Sequence, residues 1–317
     1  MNETLYSPAL ARQVVWLSGL LPYAQAAEVF KRIGHRLVPS TNIWNQTRRH
    51  GKRLKAHSDR QQTFVGVERV VLPPPGLDHA GRKGVSMDGG MVNIRDEGWK
   101  EMKVGTVFDV EQRLERDPLT RDLVERPHGI HMTYTAVLGS ADQFAPALWA
   151  LAVQHEVPTA RESCVVADGA EWIWNLVNDY FPDSVQVVDW YHACQHLAQA
   201  AQDRHPDNPV AAQRWMRQRA DTLFKGEIHV ITALLERANL TAHTRYFNTH
   251  KRRMQYQLFT ADGYPIGSGT VESGVKQFKS RLTGPGMRWS RPAAEQMLVI
   301  RAAVLGQTFD ALWDTAA

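Results

Sequence analysis

What most limits the folds open to this chain is a change of periodicity just after Leu138. Before it, Lys83 to Val92, Trp99 to Val110 and Ile130 to Leu138 read as strands, with alternation around Met102, Val104 and Val107 and a turn at Arg95-Asp-Glu-Gly98. After it, helical stretches (Ala141 to His155, Ala170 to Tyr180, Trp190 to Ala201) alternate with short continuous apolar runs, Ser163 to Ala167 and Val185 to Val188. Such runs suit strands buried on both faces of a parallel sheet. Three antiparallel strands followed by parallel strands alternating with helices predict an α/β fold on one mixed sheet.

That order is the ribonuclease H-like one, expected here over residues 83–202 and 263–317. Between these parts, helical periodicity over Pro209 to Phe224, Glu227 to Ala238 and Thr241 to Tyr256 predicts an all-helical insertion, 203–262. A helix from Glu272 to about Leu282 and another from Pro292 to Leu305 follow. Residues 1–60 read as three short helices. Ser7-Pro8-Ala9 opens the first, Gly34 closes the second, and Ser40-Thr41 caps a third that runs through Ile43, Trp44 and Leu54. Arg48, Arg49, Lys52 and Arg53 lie near its far end. This is a helix-turn-helix pattern with the last helix as groove reader, although such units also serve as plain structural caps. Residues 61–82, with Pro73-Pro-Pro-Gly76, have linker composition.

Three acidic residues stand where packing gives no reason for them: Asp88 in Gly84-Val-Ser-Met-Asp-Gly-Gly90, Asp168 in Cys164-Val-Val-Ala-Asp-Gly169, and Glu272 in Gly267-Ser-Gly-Thr-Val-Glu-Ser273. Asp168 and Asp189 end consecutive strand-helix units, where functional groups collect in parallel sheets. If the first strand lies beside that of Asp168, the two aspartates sit about 5 Å apart. That spacing suits a pair of divalent ions about 3.5 to 4 Å apart in phosphoryl transfer, with Mg²⁺ as the natural occupant. Gly89, Gly90 and Gly169 would let a nucleic-acid backbone approach. Each residue has a bland reading too: a turn with a helix cap at Asp168-Gly169, a hairpin corner at Asp88-Gly-Gly, a dipole-favoured first-turn acid at Glu272.

Net charge is only +4, but nine Lys/Arg against Asp59 fall between Lys31 and Arg60, and six against Glu295 between Lys276 and Arg301. Two basic segments flanking a carboxylate set favour nucleic acid over a merely solvated face. On the Glu272 helix, Lys276 and Lys279 share its face and could hold phosphates, with Arg281 and Arg288 beyond them. Trp289 could stack on a displaced base or plug a core edge. The longest apolar run, Ala145 to Val153, is too short to span a membrane. Cys164 and Cys194 lack disulfide or zinc-ribbon spacing, and a zinc site at His192, Cys194 and His196 would want further ligands. A reducing, cytoplasmic compartment, nucleoid-associated for a DNA-binding protein, is expected.

The carboxylate triplet, the Asp189-Trp-Tyr-His192 element, and the Gly267 to Ser273 motif followed by Met287-Arg-Trp-Ser290 resemble the DDE transposases of bacterial insertion sequences, in the ISKra-type group related to the eukaryotic Mutator-like elements. The resemblance covers nearly the whole chain. It implies an enzyme that cuts transposon ends and joins them to target DNA with two Mg²⁺ or Mn²⁺ ions, acting as a homo-oligomer on paired ends. Asp88, Asp168 and Glu272 match the metal-binding positions, and Asp189 and His192 match an Asp-x-x-His element near the active site. Members often carry a longer amino-terminal region, so a shortened copy is expected. Two other readings stay open: a DNA-binding protein without catalysis, and a ribonuclease H-like nuclease of repair or RNA processing.

Overall fold

The computed structural model describes residues 6–67, 81–116 and 121–316. Five strands, β1 (Arg82–Ile94), β2 (Gly98–Arg116), β3 (Leu123–Leu138), β4 (Glu162–Ala167) and β5 (Val185–Val188), form one open sheet of order β3-β2-β1-β4-β5. The β1–β2 and β2–β3 pairs are antiparallel, while β1–β4 and β4–β5 are parallel. Strands β1 and β2 meet in a tight turn in which Asp96 and Gly98 take left-handed φ of 65° and 75°. Asp and Gly are among the residue types that adopt that conformation at little cost.

Strands β2 and β3 extend further than the sequence predicts. The polar stretch from Glu111 to His128, between the second and third predicted strands, is in part a two-stranded arm, paired from Glu111↔His128 to Arg116↔Leu123. Its side chains on β2 are exposed. With no face turned to a core, the arm shows no hydrophobic alternation, which is why pattern reading misses it.

Helices cover both faces. On one, α4 (Ala141–Gln154), α5 (Glu171–Tyr180) and α6 (Trp190–Arg204) bury Phe144, Leu148, Ile173, Val177 and Leu197 against Val85, Met87, Val165 and Val187. The start of α4 is set by a capping box between Ser140 and Gln143. The expected helical insertion is present as α7 (Pro209–Phe224), α8 (Ile228–Arg237), α9 (Thr241–His250) and α10 (Tyr256–Ala261), with a 3₁₀ turn at Lys251–Arg253 interrupting the single third helix that periodicity suggests. Its Leu223, Ile231, Leu235, Phe247 and Tyr256 continue the same apolar cluster. On the opposite face, α11 (Gly269–Leu282) and α12 (Arg291–Leu305) bring Val271, Val275, Phe278, Leu298 and Ile300 onto Val92, Met102, Val104 and Ala136. A short α13 (Phe309–Thr315), absent from the sequence reading, ends the described chain.

The amino-terminal helices α1 (Pro8–Leu20), α2 (Tyr23–Arg32) and α3 (Ser40–Val67) are docked on α11 and α12. Arg281 Nε donates to the Ser18 carbonyl (2.7 Å) and Arg301 Nη1 to the Gly19 carbonyl (2.8 Å). Helix α3 meets α12 at Gly51, where an added Cβ would lie 3.1 Å from Gln296 Cβ. Helix α3 also runs through Val67, into the segment expected to be linker. No proline or glycine pair interrupts it there, and the proline cluster at 73–75 lies outside the described residues. No described helix is long and apolar enough to cross a membrane.

Candidate metal centre

The parallel ladders bring three aspartates to one level. The β1–β4 register pairs Val85 with Val165, so Asp88 and Asp168 each follow three residues beyond the same rung. The β4–β5 register pairs Ala167 with Val188, which sets Asp168 beside Asp189. At about 4.8 Å between neighbouring strands, Asp88, Asp168 and Asp189 form a row across the sheet at the carboxyl ends of β4 and β5.

Glu272 reaches this row because α11 is pinned at two places. Trp190 N donates to the Ile266 carbonyl (2.8 Å), and Ser268 N donates to Asp189 Oδ2, so the chain entering α11 is tied to the β5–α6 junction. One turn beyond Glu272, Val275 lies over β1 at Gly90, where an added Cβ would stand 3.3 Å from Val275 Cγ1 and 2.8 Å from Met102 Cε. Glu272 sits in the first turn of α11 and accepts from Ser268 Oγ at 3.3 Å.

Asp189 is fully buried. It caps α6 through His192 N (2.7 Å), and its Oδ1 also lies 3.1 Å from His192 Nδ1. Burial alone would raise the Asp189 carboxyl, yet the hydrogen bonds from His192 and Ser268 outweigh it and hold the group below the usual carboxylate range. The same Asp189 bond raises the His192 imidazole above its ordinary value, helped by the charges of Asp189, Asp168 and Glu272 and opposed by burial. Asp88 moves the other way. Burial lifts its carboxyl; the Gly89 amide, at 2.6 Å, and His192 oppose the rise, and the charges of Asp168 and Glu272 add to it. Asp168 accepts from Ala170 N at 2.8 Å.

Among the described residues no Lys or Arg forms an ion pair with Asp88 or Asp168, and Glu272 has only the exposed Lys276 at 3.8 Å. Carboxylates balanced by a single histidine and the exposed Lys276 are a donor set for a hard divalent ion. The closest-set potential ligands are Asp189, His192 and Glu272, whose ligand atoms lie within 4.8 Å of one another. That trio shares only Glu272 with the expected Asp88, Asp168 and Glu272 set. Asp88 and Asp168 lie within electrostatic reach but outside the tightest group. Cys194 and His196 are not part of it. The Cys194 thiol is pushed up to about 11 by burial, and the His196 ring stacks on Tyr246 at 3.7 Å.

The glycines beside the aspartates also lie close to neighbouring side chains. Besides Gly90 beneath α11, a Cβ on Gly89 would meet Glu101 Oε1 at 2.6 Å, and one on Gly169 would meet Tyr246 Cε2 at 2.6 Å. The insertion thereby braces the turn that carries Asp168. His250, next to Tyr246 on the same helix, hydrogen-bonds to the Gly169 backbone, and burial with Arg253 nearby lowers its imidazole to about 4.

Since the unfolded value is about 6.5, neutral His250 contributes stability that is complete above pH 6.5 and is lost as pH falls to 4, on the order of 3 kcal/mol at most. Urea midpoints measured across that window are expected to fall less steeply in His250→Phe than in the parent. Equal slopes would remove His250 from the acid response.

The predicted DNA-contacting residues divide. Arg48, Arg49, Lys52, Lys276, Lys279 and Arg288 are exposed. Arg53 is instead turned inward, its guanidinium 4.7 Å above the Trp313 ring, because α13 packs beside α3. Arg281 is 2% exposed and serves as an internal tie to α1. Trp289 is 8% exposed with Nε1 donating to the Leu282 carbonyl (2.9 Å), which makes it the core plug rather than an open stacking surface.

No protein-family model and no curated protein matches the chain. The site must therefore be read from its own chemistry: a row of aspartates at a sheet edge, a glutamate delivered by a helix, and a histidine oriented by a buried carboxylate.

Proposed function

We propose that the protein is a metal-dependent polynucleotidyl transferase with a ribonuclease H-like core, a DDE-type DNA transposase that cuts element ends and joins them to target DNA. The observation that carries this reading is the level placement of Asp88 and Asp168 on adjacent parallel strands, with Glu272 of α11 within electrostatic reach of Asp88. The strand order and directions, the helical insertion between the second and third carboxylates, and exposed cations on α11 and α3 support it.

Asp88, Asp168 and Glu272 would hold a pair of Mg²⁺ or Mn²⁺ ions, which supply an activated attacking oxygen and stabilise the leaving oxygen of an in-line displacement. The attacking group is water in the cleavage step and the freed 3′-hydroxyl in the joining step, with no covalent enzyme intermediate. His192, held at Nδ1 by Asp189 and biased toward its cationic form, keeps Nε2 for a phosphate oxygen. Asp189 acts through His192 and Ser268 as a positioning residue. Lys276 and Lys279, exposed on α11, hold flanking phosphates.

The test offers labelled duplex DNA, RNA–DNA hybrid and branched DNA to the full chain with Mg²⁺, Mn²⁺ or EDTA. Duplex DNA is expected to be cut only with the divalent ions, leaving 3′-hydroxyl ends that insert into a plasmid. Preference for hybrids or branches would favour a repair or RNA-processing nuclease. Binding without cleavage under either ion would leave a DNA-binding protein.

A further inference from the structure

A second cationic feature lies beyond the far end of β1. A cleft of about 580 Å³ opens between the amino-terminal helices and the segment leading into α12. Arg48, Arg95, Arg281 and Arg288 line it, and neither Asp nor Glu does. Among the described residues none of these four arginines forms an ion pair.

Arg281 is the decisive member. Its charge is almost wholly removed from solvent and is met by the Ser18 carbonyl, the Tyr23 hydroxyl and the rings of Tyr23 (5.0 Å) and Trp289 (5.2 Å), with no carboxylate among them. Its Nη2 is buried and has no hydrogen-bond partner. A buried guanidinium with an idle donor and no carboxylate is costly unless an anion completes it. Close by, Trp44 is 40% exposed, with the Arg48 guanidinium 4.7 Å from its ring centre. An open indole beside an arginine is a platform on which a base can stack. The wall is fixed to the sheet, since Trp289 N donates to the Asn93 carbonyl (3.0 Å) and Arg95 N to the Trp289 carbonyl (2.8 Å).

We propose that this cleft binds one nucleotide unit of a nucleic-acid strand, with its phosphate on Arg281, Arg95 and Arg288 and its base against Trp44. The inference rests on the nucleic-acid reading of the carboxylate site only for the source of the phosphate. Asp88 and Arg95 are seven residues apart along β1 and its turn, about 23 Å at the strand rise. A strand engaged at the carboxylates would therefore place a nucleotide about seven positions away in the cleft. The volume is in the range of small-ligand sites, sufficient for a nucleotide and larger than a bare phosphate needs.

The experiment measures binding of a fluorescent single-stranded 12-mer by anisotropy in EDTA, so that metal chemistry takes no part, with thymidine monophosphate and inorganic phosphate as competitors. Arg48→Ala/Arg288→Ala, both at exposed positions, avoids unfolding the core as an Arg281 variant would. It is expected to weaken 12-mer binding at least about tenfold and to lower the salt slope by about one. Trp44→Ala is expected to weaken the 12-mer and the mononucleotide but not inorganic phosphate. An iododeoxyuridine 12-mer is expected to photocrosslink to the peptide containing Trp44. Parental affinity in the double arginine variant, or competition by inorganic phosphate equal to that by the mononucleotide, would overturn the proposal. Asp88→Asn should bind the 12-mer at least as well as the parent, so failure of the cleft and failure of the catalytic reading give different results.

Discussion

Asp88→Asn is expected to abolish Mg²⁺-dependent DNA cleavage, by at least about a thousandfold, while leaving the folded protein as stable as the parent or more so. The lost rate corresponds to about 4 kcal/mol of transition-state stabilisation, in the range that removing one charged ligand from a phosphoryl-transfer site commands. The stability half follows from the environment of the side chain. Burial and the charges of Asp168 and Glu272 raise the Asp88 carboxyl, and among the described residues no Lys or Arg pairs with it. For an acid whose folded value is raised, ionisation works against folding above that value, and the penalty is relieved as pH falls. An uncharged amide of the same shape removes the penalty at neutral pH and keeps the acceptor for Gly89 N. Thermal unfolding without metal, set beside cleavage of labelled duplex, checks both halves. Cleavage at the parental rate would remove Asp88 from the site, and a markedly lower melting temperature would show that it holds the fold rather than a cation.

Asp189→Ala is expected to do the opposite, destabilising the protein by about 3 to 5 kcal/mol and disturbing Glu272 at the same time. The carboxylate is fully buried and satisfies His192 N, Ser268 N and the His192 ring. Truncation leaves the His192 and Ser268 amides without their acceptor, the first being the α6 cap, and leaves the His192 ring unpartnered, each costing on the order of 1 to 2 kcal/mol. Because folding holds the Asp189 carboxyl below its ordinary value, its contribution is present above the unfolded value, near 3.9, and declines only as pH falls through the folded one. The parent and variant should therefore differ fully at neutral pH in urea titrations. Asp189→Asn, which keeps one acceptor oxygen, should recover part of the loss. A neutral-pH difference below about 1 kcal/mol would mean that the loop ahead of α11 is held by other contacts.

The two kinds of aspartate separate what the sequence makes legible from what it hides. Asp88 and Asp168 stand out because each follows a run of β-forming residues that gives a carboxylate no packing role, and the sheet sets them on adjacent strands at one level. Asp189 looks the same in the chain, ending a short apolar run, yet its work is to cap α6 and anchor the entry to α11. Only the partner at Ser268, 79 residues away, reveals this, and local pattern carries no trace of it. The polar arm of β2 and β3 escapes for the same reason, since its backbone ladder forms without any apolar alternation to mark it. Arg281 and Trp289 sit in a basic, exposed-looking segment, but docking of the amino-terminal helices covers them. Long-range packing decides such residues, and one-dimensional periodicity does not encode it.

The most direct test of the central claim is anomalous diffraction from crystals soaked with Mn²⁺, recorded for the parent and for Asp168→Asn. Manganese liganded by Asp88, Asp168 and Glu272, with occupancy lost in Asp168→Asn, is the predicted result. Manganese bound solely by Asp189, His192 and Glu272 and unaffected by the substitution, or absent from the sheet edge altogether, would contradict it.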